Sequence, residues 1–175
     1  AVNLEVGIGG TIAVGASNQL QLSAALFQSR IEDTIESVTI APTACTSAPC
    51  SQLQNVGRQD NGGFELAATY NLGDQWEFHA NYTYLDRDNK TSPQVLPLDT
   101  PQDKAFAYMQ YTPIQTVALV LSGQHESGRF SATNGTRQTQ GFNTVDFKAV
   151  WQALPQLKLE LGGRNLGDEL YSYEE

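Results

Sequence analysis

The chain has 175 residues, 40% of them hydrophobic and only 17% charged, with a formal net charge of -9 at pH 7 and a pI near 4.6. Such acidity argues against a nucleic-acid partner, because phosphates attract basic surfaces. No apolar run approaches the ~18 residues of a membrane-spanning helix, but a transmembrane β-strand needs only ~10 residues with every second one apolar, so a membrane is not excluded.

In chain order, period-two alternation comes first. Leu4, Val6, Ile8, Ile12 and Val14 alternate with small or polar residues, and "VGASNQ" then breaks the pattern. Leu20, Leu22, Ala24 and Leu26 follow, alternating with Gln19, Gln21 and Ser23. A polar stretch from Asp33 to Leu53 reads as a long loop. Phe64, Leu66, Ala68, Tyr70 and Leu72 form the next alternating run. "NLGDQ" separates it from Trp76, Phe78, Ala80, Tyr82 and Tyr84, a hairpin signal in which Gly accepts positive φ and Asn and Asp bond nearby backbone. Asp86 to Gln102 is a second long loop. In the segment Asp103 to Tyr111, Phe106 and Tyr108 oppose Ala105, Ala107, Met109 and Tyr111, so its inward face is undecided. "TPIQT" leads to Val117, Leu119 and Leu121, and Gly128 to Gly141 is a third long loop. Val145, Phe147, Ala149 and Trp151, the turn "LPQ", and Leu157, Leu159 and Leu161 complete the pattern. Strands with two unlike faces are the reading throughout, eight of them, with no helix.

Short and long connections alternate strictly, which puts all the short turns at one end of the sheet. Outer-membrane barrels segregate their loops in this way, and Tyr70, Trp76, Tyr111 and Trp151 gather near the short turns where an interfacial girdle belongs. The predicted fold class is therefore all-β: an antiparallel up-and-down transmembrane β-barrel. Leu66, Phe78, Tyr82, Leu119, Phe147 and Leu159 are expected to face lipid. Glu65, Glu77, His79, Asp146, Lys158 and Glu160 are expected to be lumen-facing, since a dry core would not hold so many ionisable groups unless they were paired. Following strand directions, both chain ends would lie outside the cell, whereas a complete bacterial barrel has both in the periplasm. The expectation is an interior part of a larger barrel.

Cys45 and Cys50 lie close together in "TACTSAPC". A local disulfide suits an oxidising compartment, whereas zinc would want four N or S ligands and neither His79 nor His125 is near in sequence. No motif supports a nucleophile and base: Ser122 and Ser127 beside His125 read as a solvated loop. No catalytic residue, metal site or cofactor is expected, and the chain is read as not an enzyme.

Several stretches resemble TonB-dependent outer-membrane receptors. In "QNVGRQDNGGFELAATYNLGDQWEFHANYTYLD" the matching positions are Asn55, Gly57, Gly63, Phe64 and Glu65, then Asn81 to Tyr84. "PLDTP" resembles the lead into the next strand, and "GGRNLGDELY" resembles the family's C-terminal motif at Asn165, Leu166, Asp168 and Tyr171, with Gly167 in place of the usual aromatic. The resemblance implies a barrel of about twenty-two strands in the bacterial outer membrane, a plug domain, and energy from TonB. Residues 1–175 would be the C-terminal portion of that barrel without its last strand, and the plug would lie elsewhere. It implies partners in the lipid bilayer, the plug, TonB and a small ligand such as a ferric siderophore, haem or cobalamin. No ligand residue carries over by motif. The competing expectations are a free-standing eight-stranded barrel with a structural or adhesive role, and a soluble β-sandwich binding module.

Overall fold

The computed structural model describes residues 1–39, 51–132 and 134–172. Ten strands follow in chain order: β1 (Val2–Ala13), β2 (Asn18–Thr39), β3 (Ser51–Leu72), β4 (Trp76–Asn89), β5 (Asp103–Ile114), β6 (Val117–Glu126), β7 (Arg129–Phe130), β8 (Gln138–Thr139), β9 (Phe142–Leu154) and β10 (Leu157–Gly163). Eight of them form one sheet in the order β1-β2-β3-β4-β5-β6-β9-β10, every pair antiparallel. The small β7–β8 hairpin sits inside the third long connection. Each of the eight strands pairs with its neighbour in the chain, which is the up-and-down pattern. β1 and β10 each have one partner, so the sheet is open at both edges among the described residues.

The short turns end where backbone chemistry requires. Gly73 has φ +59° between β3 and β4, a conformation that costs a residue with a Cβ. Its amide donates to Asn18 Oδ1 at 2.9 Å, which ties this turn to the start of β2. Thr112 N donates to Gln75 O at 2.7 Å and extends the ladder across the next pair of strands.

The first long connection is shorter than the sequence suggests. Residues 33–39 and 51–53 of the Asp33–Leu53 stretch are strand, because β2 runs to Thr39 and β3 starts at Ser51. At ~3.3 Å per residue, each of these 22-residue strands is roughly 70 Å long, far more than a bilayer needs even with strong tilt. The half of this hairpin farther from the short turns shows no apolar alternation, which is why its sequence reads as a loop. Cys45 and Cys50 lie outside the described residues.

The register settles the undecided strand. Tyr82 opposes Ala105, Phe78 opposes Met109 and Trp76 opposes Tyr111, so Ala105, Ala107, Met109 and Tyr111 share the face of Leu66 and Phe78. Phe106 and Tyr108 turn to the opposite face. Continuing across the sheet, Met109 opposes Leu121 and Leu121 opposes Phe147, while Trp151 opposes Leu159. One face is therefore apolar from β1 to β10.

Little covers that face within the chain. Ile8 is 78% exposed and Leu161 74%, and Phe142 is the one buried large apolar side chain among the described residues. No second sheet packs against the apolar side among the described residues, as a soluble sandwich would require.

Two bands of rings mark the apolar face. Tyr70, Trp76, Phe78, Tyr111 and Trp151 lie toward the short turns; Trp76 stacks on Tyr111 with centroids 4.2 Å apart, and on Phe78 at 5.9 Å. Phe64, Tyr82 and Tyr84 form the other band, with Phe64 5.7 Å from Tyr82 and 5.6 Å from Tyr84. Such pairs each add about 0.5–1.5 kcal/mol beyond burial. Trp76 and Tyr84 are eight positions apart on β4, roughly 26 Å along the strand, or about 20 Å along the normal of a barrel whose strands tilt by 35–45°.

Candidate functional site

The polar face carries a connected cluster where β3, β4 and β5 meet. Asn81 Nδ2 lies 3.3 Å from His79 Nε2, and His79 Nδ1 lies 2.9 Å from Thr69 Oγ1. Both ring nitrogens of His79 are thus engaged. The Tyr108 ring stacks on it with centroids 5.2 Å apart, and the Tyr108 hydroxyl donates to the Glu77 carboxylate. Glu77 and His79, read from sequence as sharing one face, are joined through Tyr108, which sequence alone left unassigned.

The other ionisable residues of this face are dispersed. Lys148 and Lys158 flank Glu160 at 2.9 and 2.6 Å, with the three side chains about half exposed. Solvent screening leaves an exposed network of this kind little weight in stability. Glu65 is exposed, in a row that runs through Thr83 and Lys104 to Glu126. Asp146 is not near His79; its carboxylate accepts from the Asn165 amide at 2.7 Å. Ser122 lies between Tyr108 and Asp146 in the register, so Ser122, His79 and Asp146 do not form a nucleophile–base–acid chain.

The motif positions have local structural work. Asn165 has φ +50°, accepts from Glu169 N at 3.0 Å and donates to Glu169 O at 2.9 Å, closing the turn after β10. Asp168 N donates to Asn165 O at 3.0 Å in the same turn. Tyr171 stacks on buried Phe142 with centroids 4.3 Å apart. At Gly63 a Cβ would lie 2.0 Å from Tyr84 O and 2.7 Å from the Phe27 ring, so only glycine fits. Gly57 is buried where β2 and β3 shift register around Asp33, which has φ +60°, and Asn55 opposes Ile35 just beyond the shift.

The outer end is a second cluster, and periodicity could not have found it. Glu126, 3% exposed, pairs with Arg129 at 2.6 Å and with Lys104 at 3.2 Å, and it accepts from Gln124 at 2.9 Å. This group anchors the base of the 127–141 connection. The connection in turn meets the 90–102 segment, where Asp99 N donates to Phe130 O at 3.1 Å. Arg87 holds the same segment from β4, donating to Leu98 O at 3.0 Å and Thr100 Oγ1 at 2.6 Å. Two outer connections are thereby joined into one layer.

On the tall β2–β3 hairpin, Arg58 binds Asp60 through two bonds, at 3.1 and 2.9 Å, and Arg30 approaches the same carboxylate at 3.5 Å. The Arg58 guanidinium holds the Asp60 carboxyl below the usual carboxylate range, against a partial opposing effect of burial.

An open, up-and-down antiparallel sheet with one apolar face, two aromatic bands and a polar face defines the chain as β-barrel wall. A family model described as "TonB dependent receptor-like, beta-barrel" matches residues 1–166, and the chain belongs to that family. The probable TonB-dependent siderophore receptor PiuA of Acinetobacter baumannii is 24% identical over a match that covers 88% of this chain and 21% of the relative. The crystal structure of PiuA superposes with a TM-score of 0.74 at 21% identity, over 98% of this chain and 25% of that one. The ferric-catecholate import receptor Fiu of Escherichia coli K12 gives 0.70 at 19% identity, over 97% and 24%. The chain thus spans about a fifth to a quarter of the length of these relatives.

Proposed function

We propose that this chain is the C-terminal portion of the barrel of an outer-membrane importer, energised through TonB, that brings in a scarce small ligand. A ferric siderophore is the favoured cargo, because PiuA is described as a siderophore receptor and Fiu as a ferric-catecholate importer. The observation that carries the reading is the family match together with an apolar face bounded by two ring bands at bilayer spacing. In this reading the plug belongs to the rest of the receptor, and lipid covers the face of Leu66, Phe78, Tyr82, Leu119, Phe147 and Leu159. Glu65, Glu77, His79, Asp146, Lys158 and Glu160 line the lumen. Cys45 and Cys50 form a disulfide in the first outer connection. The chain performs no covalent chemistry; its polar groups are spent on hydrogen bonds that hold the wall.

The joined outer connections would form part of the ligand mouth, since outer loops are where such barrels bind. Deleting residues 90–101 in the full-length receptor should cut ferric-siderophore binding at least tenfold and leave the barrel heat-modifiable in outer-membrane fractions. Growth on ferric siderophores that persists unchanged after both joined connections are shortened would sink the ligand-mouth role given to them. Spin labels should report lipid access at 66, 78 and 147 and water access at 65, 77 and 146. Mixed access within one set would sink the face assignment.

A further inference from the structure

The sequence holds two Asn–Gly steps, Asn61–Gly62 and Asn134–Gly135. Such steps can rearrange without an enzyme, because no side chain on the glycine hinders attack of its nitrogen on the asparagine amide. The fold treats the two oppositely. Asn61 and Gly62 lie inside β3, paired on one side with Ser29 and Gln28 and on the other with Arg87 and Asp86. Ladders on both sides hold that backbone extended, which carries the Asn61 side chain away from the Gly62 nitrogen. Asn134 and Gly135 lie in the turn between β7 and β8, and Asn134 is exposed.

In that turn the side chain is set for reaction. Thr136 N donates to Asn134 Oδ1 at 3.1 Å, and Thr136 Oγ1 donates to the same oxygen at 2.7 Å. A backbone N–H can only donate, so the atom it meets is the amide oxygen, and Nδ2 is the group left to depart. Reaching the amide two residues on bends the side chain forward over the Gly135 peptide. When Gly135 N adds to Cγ, negative charge develops on Oδ1, where two donors already converge. Gly135 has φ +72°, a conformation open to glycine without steric cost. Its N–H donates to Ala132 O at 3.0 Å, a bond in an exposed turn that local opening releases.

We propose that Asn134–Gly135 is a self-modifying site in which Thr136 stabilises the developing oxyanion. Gly135 N bonds to Asn134 Cγ as it gives its proton to solvent, the Cγ–Nδ2 bond breaks, and Nδ2 leaves as ammonia with a proton from water. The resulting succinimide takes up one water and opens at either carbonyl, to isoaspartate or aspartate. Either product puts a carboxylate at 134, and isoaspartate also lengthens the backbone by one methylene. The junction of the two outer connections is within reach: a Cβ at Gly135 would lie 3.1 Å from Leu96 Cδ1 and 3.8 Å from the Phe130 ring. Modification therefore loosens the 127–141 connection from the 90–102 segment.

The test uses the full-length receptor, folded in detergent and, in parallel, unfolded in guanidinium. Both samples are aged in heavy-oxygen water at mildly alkaline pH and mapped by peptide mass spectrometry. Unfolded, the two Asn–Gly steps should convert at similar rates. Folded, Asn134 should convert about fivefold faster than when unfolded, the rate equivalent of one hydrogen bond, while Asn61 stays intact. Isoaspartate should be the main product. T136V should remove that acceleration, T136S should keep it, and neither should alter the unfolded rate. Hydrogen exchange at residues 96–100 should rise in converted receptor and stay at its starting level in N134Q. A folded Asn134 that reacts no faster than the unfolded one overturns the proposal, as does a T136V receptor that reacts as fast as the wild type. Aspartate without isoaspartate would show direct hydrolysis and overturn the cyclisation. Unchanged exchange at 96–100 after complete conversion would overturn the loosening.

Discussion

Glu126 is the position where a single change should do most damage outside the sheet ladder. Its carboxylate is 3% exposed and lies 2.6 Å from Arg129, which is itself 6% exposed. E126A removes the negative charge between a buried guanidinium and the Lys104 ammonium. Breaking a buried pair by deleting one partner costs about 3–5 kcal/mol. E126Q keeps the shape and some of the hydrogen bonding, so its loss should be smaller, about 1.5–3 kcal/mol. The Lys148–Glu160 pair gives the contrast: both side chains are about half exposed, and K148A should cost far less than E126A. Native-state hydrogen exchange on the full-length receptor reads these values at residues 126–142. At about 1.4 kcal/mol per tenfold, E126A should speed exchange there by roughly 10²–10⁴ and K148A by less than ~10. Equal effects from the two substitutions would show that burial does not set the strength of this cluster, and would refute the anchoring role given to Glu126.

On the tall hairpin, the Asp60 carboxyl is held below its unfolded value by Arg58, so its contribution is complete above about pH 4 and is lost as pH falls through the folded value. Proteolysis of the hairpin should be flat between pH 5 and 8 and should rise only below about pH 4, and D60N should be insensitive to that acid step. Gly63→Ala places a methyl 2.0 Å from Tyr84 O, so folding yield should fall sharply, whereas Gly62→Ala, whose Cβ would meet Phe27 O at 3.8 Å, should assemble normally. Cys45 and Cys50 should be oxidised together in exported protein, seen as a two-proton mass difference between reduced and unreduced samples; two free thiols would reject the pairing.

The eight-stranded sheet was legible because each strand between the ring bands has one apolar and one polar face, and period two records that difference residue by residue. The same cause explains the misreading of Asp33–Leu53. Beyond the ring bands the alternation in β2 and β3 disappears, and a strand looks like a polar loop. β5 was undecided because Phe106 and Tyr108 place aromatic rings on the polar face, and only their register against Asn81 and His79 assigns them. The outer ring band was missed for a related reason. Phe64 and Tyr84 are 20 positions apart in sequence but adjacent across the β3–β4 ladder. Glu126 and Arg129 carry no periodic signal at all; their burial depends on how the 127–141 connection folds back, which no local pattern encodes.

A bilayer against the apolar face makes the cost of a charge depend on depth, and the register says which positions should feel it. Ala80 and Ala107 oppose each other between the ring bands, two rows below Tyr84 and two rows above Trp76. An arginine at the lipid midplane of a barrel costs about 2–4 kcal/mol, falling to about 0–1 near the interfaces. A80R and A107R should therefore each destabilise the folded receptor by that larger amount. T83R, three residues farther along β4 and on the polar face, should meet a hydrated lumen and cost less than about 1 kcal/mol. H125R, at the level of the outer band, should resemble T83R rather than A107R, because a long side chain there can reach the headgroups. Urea unfolding in lipid vesicles measures all four. A sandwich or a water-exposed sheet would give small penalties at Ala80 and Ala107 as well, since both are exposed and an arginine could then extend into solvent. Penalties that are high on one face, low on the other, and graded with height along a strand require an apolar medium on one side and water on the other.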